Sequence, residues 1–87
     1  MTATIFTSEC VAYDTITTYT NVTLTAESTG TITKYEIGTA DSNTDSITWE
    51  DITLSTTLTL ATPNKALFLR ITGNNGAILS EVRLVYS

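Results

Sequence analysis

A chain of 87 residues has room for one domain with one modest core, and with Cys10 as its single cysteine an internal disulfide is excluded. The absence of histidine removes the Ser-His-Asp and Cys-His constellations, and one thiol cannot build a zinc site. With a net charge of −5 and only Lys34, Lys65, Arg70 and Arg83 as basic residues, neither nucleic acid nor an anionic membrane is expected as a partner.

Met1 to Val11 lacks the basic start and apolar run of a signal peptide. No segment approaches the roughly 20 apolar residues of a membrane-spanning helix, so the expected site of synthesis and folding is a cytoplasm. A first strand is predicted near 3–7, although 1–10 also reads as an arm that docks on a partner. Residues 10–19 form a connection with a short strand around Tyr13. From there the chain alternates apolar and polar residues with period two: Val22, Leu24 and Ala26; Tyr35 and Ile37; Leu58 and Leu60; Leu67, Leu69 and Ile71; Val82, Leu84 and Tyr86. Threonine fills roughly a quarter of all positions, and its β-branched side chain suits a pleated strand while its hydroxyl keeps an outer face wet. Strands follow near 20–27, 31–38, 46–52, 55–60, 66–72 and 79–86. Turn signals divide them at Ser28-Thr29-Gly30, Gly38 to Ser46, Thr62-Pro63-Asn64 and Gly73-Asn74-Asn75-Gly76. Asn75-Gly76 is the strongest hairpin signal and predicts that the last two strands pair antiparallel. Seven or eight short strands with one apolar face each predict an all-β antiparallel sandwich in a single domain, 1–87.

The candidate chemistry is sparse. Asp41, Asp45, Glu50 and Asp51 lie in one polar stretch, but a domain this small offers little room for a sugar cleft between paired carboxylates, and solvated loop acids account for them. Asp41-Ser42-Asn43-Thr44-Asp45 has the alternate-ligand spacing of a calcium loop. Ser46 and Ile52 replace that loop's glycine and bidentate glutamate, which favours a plain hairpin loop, with no metal or other cofactor expected. The Asn21-Val22-Thr23 sequon is read as a chance match, and the repeated Thr-x-Thr pairs as polar strand faces, too irregular for an ice-binding array. Trp49 suits a sugar-stacking platform, or, sharing parity with Ile47, a place between the sheets; the core placement is preferred. Cys10 reads as a small buried hydrophobe. Phe68 and Arg70 lie opposite the core parity of their strand, and an exposed aromatic–arginine pair makes them the candidate partner-interface residues. With one proline and two lysines to guard its sheet edges, and no cross-link, the domain is expected to dock on copies of itself or another protein.

The order of Val22-Thr23-Leu24-Thr25-Ala26, Lys34-Tyr35-Glu36-Ile37, Thr48-Trp49-Glu50-Asp51-Ile52, Leu67-Phe68-Leu69-Arg70-Ile71-Thr72-Gly73 and Ile78-Leu79-Ser80-Glu81-Val82-Arg83-Leu84-Val85-Tyr86 resembles small β-sandwich domains of bacteriophage virion proteins, tail-associated and capsid-decorating. The resemblance spans residues 13–87. It departs from the family in the loop before Trp49, which lacks glycine from Asp41 to Ser46. It implies a jelly-roll-like sandwich with no catalytic residues. A chain that begins at Met1 and holds only this unit reads as a capsid decoration (cement) protein. The expected role is a homo-oligomer on the virion surface that binds and stabilises the shell of major capsid protein. The alternative is a carbohydrate-binding module or structural subunit of a phage tail or fibre.

Overall fold

The alternating threonine and aliphatic runs form eight strands: β1 (Ala3–Thr7), β2 (Ala12–Tyr13), β3 (Tyr19–Thr29), β4 (Ile32–Ala40), β5 (Thr48–Asp51), β6 (Thr57–Asn64), β7 (Ala66–Asn74) and β8 (Ile78–Tyr86). The computed structural model describes residues 3–7, 10–44 and 46–87, and no helix occurs among them. All pairings are antiparallel. Sheet A has the order β1-β7-β4-β5, with β2 also pairing β7, and sheet B has the order β6-β3-β8. The two sheets make the expected antiparallel sandwich.

Its winding is that of a folded ribbon. The continuous run β3–β4 lies antiparallel to the run β7–β8, and both cross from one sheet to the other at the same corner. Two bulges flank this corner, one adding Thr33 to β4 and one adding Ser80 to β8. Each extra residue ties its hydroxyl to the opposite strand: Thr33 Oγ1 donates to the Thr72 carbonyl at 3.0 Å, and Ser80 Oγ to the Glu27 carbonyl at 3.1 Å. Bulges increase local twist and bend, which lets a paired ribbon fold over without losing its ladder. At the corner itself Gly30 and Gly76 adopt φ of 81° and 88°, and a Cβ on Gly30 would press on Ala77 Cα at 3.1 Å.

This winding corrects two expectations. Asn75-Gly76 does turn the chain, with the Ala77 N–H donating to the Asn74 carbonyl at 3.0 Å, but β7 and β8 do not pair. The turn carries the chain between sheets, and β8 pairs with β3 instead. Thr62-Pro63-Asn64 is likewise not a turn but the end of β6, an edge strand, where a missing N–H is harmless. Residues 3–7 form the predicted strand, on the edge of sheet A, rather than a free arm; Met1, Thr2, Ser8 and Glu9 lie outside the described residues.

Between the sheets, Val22, Leu24 and Leu60 of sheet B meet Ile37 and Leu67 of sheet A and Ile52 from the β5–β6 connection. Tyr19, Tyr35, Leu54, Leu58, Leu69 and Leu84 close the rim. Fully burying each aliphatic side chain contributes about 1.5–3 kcal/mol, so this layer is the main source of stability. Sheet B turns a hydroxyl-rich face to solvent, where Thr23 and Thr57 share a hydrogen bond of 2.9 Å and Thr59 donates to Asn21 at 3.3 Å.

Candidate functional site

The outer face of sheet A departs from the one-apolar-face pattern. Residues paired across a ladder share a face, so Gly38 of β4 lies between Trp49 of β5 and Phe68 of β7 on the side away from sheet B. Ala40, Ala66 and Phe68 form a second buried cluster there, covered by Cys10, Ile47 and Trp49. Trp49 is therefore half-buried on the outer face and not between the sheets as expected. Gly38 is what lets it lie down: a Cβ there would stand 2.9 Å from Trp49 Cε3 and Cζ3 and would overlap Ile47 Cγ2.

Phe68, expected to be exposed, is only 5% exposed because Trp49, Ile47 and Cys10 roof it over. Arg70 is the surface member of the predicted pair. Its guanidinium carbon stands 4.1 Å above the Trp49 ring, and Nε and Nη2 donate to Glu36 Oε1 and Oε2 at 3.0 and 3.1 Å. A planar guanidinium fits both a carboxylate fork and an aromatic face, which a lysine cannot do at once. The Glu36 side chain is 8% exposed. The bidentate Arg70 bond holds its carboxyl below the usual carboxylate range, against the opposing effect of burial, and the same bond raises Arg70 above its ordinary value. Lys34 extends the chain of charge, 3.7 Å from Glu36 and 3.6 Å from Asp51. The result is a contiguous Trp–Arg–Glu–Lys surface on the outer face of sheet A.

Glu36 was not among the sequence candidates. The available signal was a glutamate inside a strand between Tyr35 and Ile37, which needs a cationic partner, with few cations in the chain to supply one. The other candidates do not join this site. Glu50 and Asp51 face opposite sides of sheet A; the Glu50 carboxylate accepts the Ala61 N–H of β6 at 3.1 Å, while Asp51 meets Lys34. Asp41 lies 3.9 Å from Lys65, and Asp45 lies outside the described residues. Among the described residues no group of three or more acids, histidines or cysteines is placed to hold a metal ion. Cys10 is half-buried, its thiol donating to the Ala12 carbonyl at 3.2 Å. A surface depression of about 450 Å³ is open and lies beside Lys34, Tyr35, Asp51 and Leu54.

Chemically, the described residues of this face are engaged with one another through ion-pair and cation–π contacts. Arg70 covers one face of the Trp49 ring, and Gly38 lies against its Cε3–Cζ3 edge. No protein-family model, curated protein or solved structure matches the chain.

Proposed function

We propose that the domain is a non-catalytic structural protein that docks on a protein lattice, as a capsid decoration protein does on a viral shell. The observation that carries the docking part is the Trp49–Arg70–Glu36 assembly. Tryptophan and arginine dominate the energetics of protein interfaces, and side chains already locked in one geometry lose little entropy on binding. Here the ring is seated by Gly38 and the guanidinium is held by two bonds to Glu36. The viral shell as the lattice is supported by the strand motifs that resemble virion sandwich domains. Many weak contacts per particle would then add up through multivalency, tying capsid subunits together against internal pressure.

The test is binding to purified undecorated shells, with bound copies counted by quantitative gel densitometry. Saturation at hundreds of copies per particle is the expected result, and Trp49→Ala should lower occupancy with the fold retained by circular dichroism. Saturation at a handful of copies would move the protein to the tail, and no binding to any shell of its source would overturn the reading.

A further inference from the structure

The four edges of the sandwich are not equally guarded. On sheet A, β5 is four residues long and the opposite edge is split between β1 and β2. On sheet B, β6 carries Pro63, and the Ala61 N–H is already taken by Glu50. That leaves β8, nine residues with neither proline nor lysine and, among the described residues, no strand on its far side. Four exposed large hydrophobic side chains sit on it: Ile78 (61%), Val82 (39%), Val85 (60%) and Tyr86 (41%).

The β8 sequence is complementary to itself when reversed. Ser87 and Asn21 exchange both backbone bonds, at 3.0 and 3.2 Å. By the antiparallel alternation, Val85 and Arg83 also bond toward β3, and Tyr86, Leu84 and Val82 turn their N–H and C=O outward. A two-fold axis through Val82 then makes Val82 a hydrogen-bonded pair with itself. Glu81 falls opposite Arg83 of the second copy, twice, on the outer face. Both are exposed, and within the described residues neither enters an ion pair in the monomer. Beyond Val82, the bulge residue Ser80 shifts the register by one, so that faces still match. Leu84 meets Leu79 on the inner side, and Val85 meets Ile78, the two most exposed large hydrophobic side chains of the strand, on the outer side.

We propose that β8 is a self-recognition edge: two copies pair β8 antiparallel across an axis at Val82, merging their B sheets into one of six strands. The ion pairs set the register, since sliding the axis to Leu84 puts Arg83 against Val85. Isologous pairing of this kind closes at two copies and leaves no new edge from β8. It does not depend on the proposed role at a shell. A dimer that ignores shells overturns that role alone, and a monomer that coats shells overturns this one alone.

The test uses sedimentation velocity of the full chain. A dimer is expected, and Arg83→Glu, which sets glutamate opposite glutamate at both sites, should weaken it by roughly tenfold to a hundredfold. Arg83→Glu combined with Glu81→Arg should restore it. In a Cys10→Ser background, Val82→Cys should form an intermolecular disulfide on mild oxidation, because hydrogen-bonded antiparallel pairs hold Cα atoms at about 5.5 Å, within disulfide range. A wild-type monomer up to roughly millimolar concentration, a dimer indifferent to Arg83→Glu, or cross-linking by Leu84→Cys in place of Val82→Cys would each overturn the proposal.

Discussion

Replacing Gly38 with alanine adds one methyl group where β4 runs beneath the Trp49 ring. The new carbon would stand 2.9 Å from two ring atoms and would overlap Ile47 Cγ2. An ordinary carbon–carbon contact is about 3.8 Å, so the ring must retreat by about 0.9 Å. β4 is held between β7 and β5 and cannot yield, whereas β5 is a short edge strand and can. Overpacking of this kind costs about 1–3 kcal/mol, and the freedom of the edge places Gly38→Ala near the middle, at about 2 kcal/mol. For a domain of this size that lowers the melting temperature by roughly 8–16 °C. The assay is urea and thermal unfolding followed by circular dichroism, with Trp49 fluorescence as a separate report on the ring. Ile47→Ala opens space at the point of worst overlap, so the added cost of Gly38→Ala should fall by at least half in that background. A Gly38→Ala cost below about 0.5 kcal/mol, or one unchanged by Ile47→Ala, would refute the placement of Trp49 on the outer face.

Three further outcomes follow from buried or strained groups. Thr39 is 2% exposed and its hydroxyl finds no partner among the described residues, so Thr39→Val should stabilise the domain by about 1 kcal/mol in urea unfolding; a loss of stability would mean the hydroxyl is satisfied. Ser55 adopts φ 61° while its N–H donates to the Leu24 carbonyl at 2.8 Å. Ser55→Gly keeps that bond, removes the Cβ strain and should gain about 0.5–1 kcal/mol, as read by melting temperature. The carboxyl of Glu36 is held low in the folded state, so its stabilising contribution is complete above its unfolded value near 4.5 and is lost as the pH falls through its folded value. Glu36→Gln should flatten the acid limb of the stability–pH curve relative to wild type, and a parallel shift of the whole curve would sink the assignment.

The strands were legible because period two and threonine content are local properties, and each predicted run became a strand within a few residues. Pairing was less so. Asn75-Gly76 encodes a reversal of direction, but whether the two arms pair depends on where the other strands lie, and β3 competes successfully for β8. The faces of Phe68 and Trp49 were misassigned by a related assumption, that each strand hides one side only. Ala66-Leu67-Phe68-Leu69 is a continuous apolar run, the mark of a strand buried on both faces, and it lies in β7, central in sheet A. Glycine at position 38 carried the complementary signal: a bare backbone patch in the neighbouring strand where a large ring is seated. The Glu36–Arg70 pair spans 34 positions in sequence, so the strand glutamate signalled the need for a cation without naming which one.

Charge placement connects stability to the proposed lattice role. Glu36, Asp51 and Asp41 each lie against a cation, Arg70, Lys34 and Lys65, so these charges cancel locally and the net charge of −5 is carried by the other acids. The outer face of sheet B is clothed mainly in threonine hydroxyls that bond to one another and to Asn21. A charged coat would keep single molecules apart in solution but would oppose close packing of many copies. Neutral hydroxyls stay hydrated without that repulsion. Their hydration also makes them poor adhesive, which fits the two proposed contact regions lying on features that are not threonine: the Trp49–Arg70 face and the β8 edge. These two lie on different sheets, and a molecule can therefore hold a lattice with one while holding a second copy with the other.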